Sequence, residues 1–388
     1  MAVRGEYTKA EEEMIAATNA KMDTMVGWLS SPNRIATEES MKNVALSVDM
    51  WNPLWSDEQY AAGTRWGGII AFPMFQGNFG TIQFGPLEAS PECGFQHMIW
   101  IGEDWEFFKP IHVNDSFKVW CKRPQLKDVT SLDGKGPRTF ALFESDNEHI
   151  NQKDELVSTS KLYVQRSFLP GPPKPSSMPE YGYTKEELLF IARMVREEEI
   201  RGADIRYWED VVAGDETKPV VLGPTSMADN AIASSAMARI DIAFRPRDLF
   251  MQAIGEELGD EFLLDPETNL YHIRGGPAGR HWSDRSAQAE GEPCVFLFAV
   301  LSRYLMARLI TNWMGDDGFL RKYKWRHIAR NAVGDTIIGR GKVIHKHVEN
   351  GEHLVDLKIW LENLRGNTTE VASATVSLCS KKAPFQWK

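Results

Sequence analysis

Apolar and polar positions along the chain recur with two different periods. Between residues 8 and 29, Met14, Ile15, Met22 and Met25 fall at helical spacing behind an acidic start, which predicts an amphipathic opening helix. A turn-rich loop carrying Asp49, Asn52, Pro53 and Asp57 follows, then Gly67-Gly68 and an apolar segment from Ile69 to Phe75. From Gln96 to Gln125 the residues read as strands interrupted by turns at Lys109-Pro110 and Asn114-Asp115, with Phe117, Val119 and Cys121 alternating toward a core. Beyond the turn at Asp133 to Gly136, two further strands are expected over Arg138–Glu144 and Leu156–Val164. Several strands beside one helix predict an α+β unit built on an antiparallel sheet.

The proline-rich FLPGPPKPSSMP, residues 168 to 179, cannot continue a helix or a central strand and reads as a linker. Thr184 with Glu187 then makes a capping box ahead of a helix in KEELLFIARMVREEEI. Further on, Gly275, Gly276, Pro277 and Gly279 form a loop that delivers Arg280-His281-Trp282-Ser283-Asp284 to a short polar helix. An apolar run follows in which Arg303 and Arg308 are the only charges between Cys294 and Thr311. It is too interrupted for a bilayer span and too rich in Leu and Ala for a strand, so it predicts a central helix wrapped by a sheet. WMGDDGFL, residues 313 to 320, reads as the turn from that helix into a strand, with Asp316 able to face a cavity.

The second half repeats features of the first. FFKPIHVNDSFKVWCKR around Asp115 parallels WRHIARNAVGDTIIGRGKV around Asp335, and NQKDELVSTSKLYV parallels NLRGNTTEVASATVSL. The order is preserved and the linker lies between, which indicates an internal duplication with a pseudo-twofold arrangement. The chain is divided accordingly into residues 1–168, a linker over 169–183, and residues 184–388.

Charge and composition narrow the function. The chain of 388 residues carries 54 acidic against 44 basic residues and no basic stripe interleaved with aromatics, which argues against a nucleic-acid partner. Cys93, Cys121, Cys294 and Cys379 show no CxxC spacing and read as reduced, small hydrophobic residues. MAVRGEYTKAEEEM lacks the apolar core of a signal peptide, so a cytoplasmic location is expected. The heavy load of tryptophan and phenylalanine fits either a large apolar ligand cavity or core packing. The absence of GxGxxG, Walker and GxSxG motifs argues against dinucleotide, nucleotide and serine-hydrolase sites.

His281 is the foremost candidate for acid/base chemistry, provided a neighbour fixes its tautomer. Asp284 either orients it or caps the following helix. Gly291 either frees backbone N–H groups for a developing oxyanion or serves a turn. Arg280 and Arg274 either attract an anionic group or pair with surface acids. His97, His112, His272 and His327 are dispersed, and His345 and His347 alternate along a probable strand as surface residues, so no metal site is expected.

With DWEFFKPIHVNDSF and NQKDELVSTS in the first half, and RYWEDVVAGDETKPVVLGPTSMADNA, VGDT and VASATVSL in the second, the chain resembles the MaoC-like acyl dehydratases. These are relatives of the (R)-specific enoyl-CoA hydratases, here in fused double-hotdog form. The resemblance implies two hotdogs, each an antiparallel sheet around a central helix. It implies hydration or dehydration of an acyl-CoA thioester with no cofactor beyond the CoA of the substrate, and a homo-oligomer, expected to be a dimer. The family's signature of Asp, Asn-Pro and His is split here. SVDMWNPLWSD keeps Asp49, Asn52, Pro53 and Asp57 but has Trp55 in the place of the histidine; GGPAGRHWSD keeps His281 and Asp284 but lacks the Asp and Asn-Pro. Carried over by position, His281, Asp284 and Asp49 are the implied acid/base residues. Gly291 is the implied oxyanion contact, and Arg280, Trp55 and Trp282 are further candidate substrate-binding residues. A non-catalytic acyl-CoA-binding or structural subunit is the alternative, and a thioesterase using Asp49 a more distant one.

Overall fold

The computed structural model describes residues 2–29, 34–48, 51–79, 93, 97–133, 138–143, 147–167, 182–236, 262–266, 269–273, 281–289 and 292–382. Its first half contains α1 (Lys9–Asp23), β1 (Gly27–Trp28), α2 (Glu38–Leu46), α3 (Glu58–Ala62), β2 (His97–Phe107), β3 (Phe117–Cys121), β4 (Gln125–Asp128), β5 (Thr139–Phe143), β6 (Asn147–Asn151) and β7 (Leu156–Ser167). The second contains α4 (Lys185–Arg196), β8 (Val220–Leu222), α5 (Met227–Ala236), β9 (Phe262–Asp265), β10 (Leu270–Ile273), α6 (Asp284–Ala289), α7 (Ala299–Met314), β11 (Phe319–His327), β12 (Ile337–Glu349), β13 (Glu352–Asn363) and β14 (Thr368–Ser377).

The local signals explain where helices begin. Thr184 and Glu187 close the expected capping box on α4, and Thr8 with Glu11 makes a second one on α1. The opening helix ends at Asp23, short of the expected residue 29, because Gly27 and Trp28 pair with Cys121 and Trp120 as β1. The central helix starts at Ala299 and not near Cys294. Pro293 fixes its own backbone, and Phe296 is held extended by a bridge to Ala332, so helical winding begins only after Phe298. The proline-rich linker lies outside the described residues.

Among the described residues, twelve strands form one antiparallel sheet along the path β1-β3-β6-β7-β2-β11-β14-β13-β12-β8, with β5 beside β7 and β4 beside β5. The two halves meet where β2 runs antiparallel to β11, from Lys322 opposite Glu106 to Arg326 opposite Gly102. Gly102 is required there, since a Cβ at that position would run into the Trp325 carbonyl oxygen. Helix α7 lies against β8, β11, β12, β13 and β14 and is buried almost throughout, as the apolar run predicts. Each of Leu301, Leu305, Leu309 and Ile310, at most 5% exposed, contributes roughly 1.5–3 kcal/mol by burial.

Both charges in that helix point inward. Arg303, 3% exposed, donates to both carboxylate oxygens of Glu103 on β2 at 3.0 and 3.2 Å. The indole N–H groups of Trp105 and Trp325 donate to the same carboxylate at 2.9 and 3.3 Å. Arg308 donates to Glu198 at 2.8 Å, to the Val221 carbonyl at 2.8 Å and to the Val48 carbonyl at 3.0 Å. The helix of one half is thereby fastened to the other.

Replacing Arg303 with Met strands the Glu103 carboxylate in the interior. The expected loss is about 3–5 kcal/mol, with much of it recovered in the Arg303→Met/Glu103→Leu double variant. Urea unfolding of the three proteins measures it, and a single variant as stable as the parent would contradict a structural role for the pair.

Candidate active site at the start of the central helix

His281 occupies the turn ahead of α6 and is half-buried. Its Nδ1 lies 2.9 Å from the Phe296 carbonyl oxygen. A carbonyl only accepts, so Nδ1 carries a proton, and in the neutral ring Nε2 is the basic nitrogen. The ring stacks on Phe298, with centroids 4.1 Å apart, and meets the edge of Phe296 at 4.5 Å. Asn230, fully buried on α5, holds this backbone together. Its amide nitrogen donates to the His281 and Phe296 carbonyls at 2.9 and 3.2 Å, and its oxygen accepts from the Phe298 N–H at 3.0 Å. The first turn of α7 follows directly and has no side-chain cap. Its N–H groups, at the positive end of the helix dipole, suit a developing negative charge.

Asp284 does not orient the histidine. Its Oδ1 accepts from the Val295 N–H at 2.7 Å, which ties α6 to the segment before α7, while the cap of α6 comes from the Ser283 hydroxyl. Trp282 packs edge-on against Phe298, with centroids 5.8 Å apart. Burial, with Asp284 nearby, pushes the Cys294 thiol up to about 11, which removes it as a nucleophile at neutral pH. Asp49, Arg280 and Gly291 lie outside the described residues. Because α7 begins at Ala299, the N–H groups of the helix start belong to Ala299 and Val300 and not to the neighbourhood of Gly291.

The duplication places a second copy of this geometry in the first half. Ile70 bridges His112 as Phe296 bridges Ala332. The Ala71 N–H donates to Ile111 as the Leu297 N–H donates to Asn331, both at 2.9 Å. Trp55 stands as far before Ile70 (55 to 70) as His281 stands before Phe296 (281 to 296). The indole is 3% exposed and meets Phe72 edge-on at 5.3 Å. It offers an N–H donor and no basic nitrogen, so no imidazole base stands at this position.

Beside Trp55 is a cavity of about 40 Å³ lined by Ile70, Phe72, Gln76, Phe107 and Asp316 among others. Asp316 faces it, one of the two orientations open from sequence. The carboxylate accepts from Tyr60 Oη at 2.6 Å and Asn52 Nδ2 at 3.5 Å. Burial raises its pKa, and burial together with this bond pushes the Tyr60 hydroxyl up to about 12. Asp57 caps α3 through the Tyr60 N–H at 2.9 Å, as expected of a turn residue.

Behind the start of α7 lies a buried polar group with no counterpart in the sequence reading. Asn331 donates to Ser302 at 3.2 Å, and His327 Nδ1 lies 2.6 Å from the fully buried carboxyl of Glu370. Burial pushes Glu370 up to about 7 despite the histidine.

The surroundings of the chain match this architecture. Residues 24–160 match the family described as the FAS1-like dehydratase domain region. No curated protein matches the sequence significantly. Among solved structures, the chain is similar to a MaoC-like dehydratase (16% identity, 93% of this chain and 100% of the other covered, TM-score 0.61). It is also similar to a putative MaoC domain protein dehydratase from Chloroflexus aurantiacus (12% identity, 91% and 95% covered, TM-score 0.54). A third is a conserved hypothetical protein from Mycobacterium tuberculosis with a double hotdog fold (10% identity, 92% and 97% covered, TM-score 0.51). The chain is a double hotdog of α+β class with the fold of the MaoC-like dehydratases, and its first half carries the dehydratase-region match.

Glu370 gives the stability a pH dependence of definite sign. As pH rises from 4.5, the ordinary carboxyl value, the unfolded chain ionises first, so the contribution of Glu370 to stability falls until about pH 7 and is level above. The difference in unfolding free energy between wild type and Glu370→Gln should therefore change across that window, by on the order of 3 kcal/mol. A difference that stays flat from pH 4.5 to 7 would show that the carboxyl titrates normally.

Proposed function

We propose that the protein is an acyl-CoA hydratase/dehydratase that adds or removes water across the α,β double bond of an enoyl thioester, with His281 as the acid/base. The observation that carries the proposal is the bond from His281 Nδ1 to the Phe296 carbonyl, which makes Nε2 the basic nitrogen of the neutral ring, with that ring stacked on Phe298 just ahead of α7. In the hydration direction, Nε2 takes a proton from water while the water oxygen bonds to C3. The double-bond electrons move toward the thioester oxygen, where the Ala299 and Val300 N–H groups stabilise the enolate. Nε2 then returns the proton to C2, and the free imidazole is regenerated.

Trp282, Phe296 and Phe298 supply apolar walls around this point. Asp49, Arg280 and Gly291 are carried as candidates for a carboxylate partner and for thioester contacts. A homodimer acting on soluble thioesters in the cytoplasm fits this reading. The second reading, a subunit that binds acyl-CoA without converting it, draws support from the engagement of Asp284 with Val295 in place of His281.

Loss of enoyl-thioester absorbance separates the two readings. With a panel of acyl chain lengths, wild type should turn over at least one substrate, and His281→Ala should lower kcat/KM by about 10²–10⁴-fold without moving the unfolding midpoint. Equal turnover by the variant removes His281 from the mechanism. An inactive wild type that still binds acyl-CoA supports the binding subunit.

A further inference from the structure

The outer part of the β12–β13 hairpin assembles a group of side chains that the duplication and the proposed chemistry do not use. His345 and His347 are two apart on β12 and point to one side of the strand, as the twofold period of a strand requires. Asp356 on β13 is the register partner of His345, just past the bulge between Val343 and His345. The sequence showed two surface histidines; the pairing of β12 with β13 adds the carboxylate.

The separations are those of ligand atoms around one shared ion more than those of hydrogen bonds. Asp356 Oδ2 lies 3.4 Å from His345 Nδ1 and 3.6 Å from His347 Nδ1, both longer than a charge-assisted N–H···O bond. His347 Nδ1 is shielded from solvent and has no hydrogen-bond partner, although its residue is only half-buried. One ligand atom from each of the three residues lies within 4.8 Å of the other two. A tetrahedral ion with bonds of about 2.0–2.1 Å sets its ligand atoms about 3.3 Å apart, close to the two measured edges. The rings of His345 and His347 are stacked with centroids 5.0 Å apart, so both present a nitrogen toward the same carboxylate oxygen.

The outer contacts are those of a supported ligand set. Thr375 on β14 donates to Asp356 Oδ1 at 2.6 Å, which holds the carboxylate so that Oδ2 faces the histidines. Glu349 lies 3.9 Å from His347 Nε2, on the far side of that ring. The geometry points to a binding site for one divalent transition-metal ion on His345, His347 and Asp356, with solvent completing the coordination. Two imidazoles and one carboxylate select Zn²⁺, Ni²⁺ or Cu²⁺ over Mg²⁺ and Ca²⁺. A bound ion cross-links the outer ends of β12 and β13.

Calorimetric titration of the full, chelator-treated chain with Zn²⁺ tests the inference directly. One ion per chain should bind, and His345→Ala/His347→Ala and Asp356→Asn should each weaken binding by about 10-fold or more. His112→Ala should leave binding unchanged, and circular dichroism of each variant checks that it is folded. Mg²⁺ should not compete. Absence of saturable Zn²⁺ binding overturns the site, as does binding that survives both the double histidine variant and Asp356→Asn.

Discussion

A guanidinium in the middle of an apolar helix is tolerated inside a protein only if a carboxylate meets it and the remaining lone pairs are satisfied. Arg303 meets Glu103, and two indole N–H groups complete the carboxylate. Because Arg303 belongs to the helix of the second half and Glu103 to a strand of the first, the pair fixes how the halves dock. The β2–β11 seam and Gly102 fix the register along the same contact. Arg303 sits about one turn into α7, so the same pair holds the beginning of that helix against the first half.

The two halves of the double hotdog supply two equivalent positions beside two equivalent bridges, and the two are chemically unlike. One holds an imidazole whose Nδ1 is tied to a carbonyl; the other holds an indole packed against Phe72. The first copy retains Asn52 and Asp57, yet both serve local structure: Asn52 starts a turn and contacts Asp316, and Asp57 caps α3. Asn52 thus ties the end of α7 to the first half, while the imidazole of this pair of positions stands in the second.

The legible parts of the fold are those written in local patterns. The capping box at Thr184 and Glu187, the almost uncharged run that becomes α7, the Asp316 turn and the repeated segments around Asp115 and Asp335 all declare themselves within a few residues. What stayed hidden depends on partners distant in the chain. Asp284 stands three residues from His281 but bonds to Val295, and the helix start is delayed by the pairing of Phe296 with Ala332. Nothing in the spacing of MADNA marks Asn230, and its burial against three backbone groups reveals its role. Asp356 and Glu370 acquire their histidine neighbours through strand register, which no spacing along one sequence encodes.

The proposed function rests on the second copy, where His281 stands, and not on the first, where Trp55 stands. A crystal structure of the chain with a saturated acyl-CoA, which binds without reacting, tests it most directly. The account predicts the thioester at the start of α7, with its carbonyl oxygen on the Ala299 and Val300 N–H groups and its C3 facing His281 Nε2. A thioester seated beside Trp55 and Asp316 instead, with His281 untouched, would contradict it.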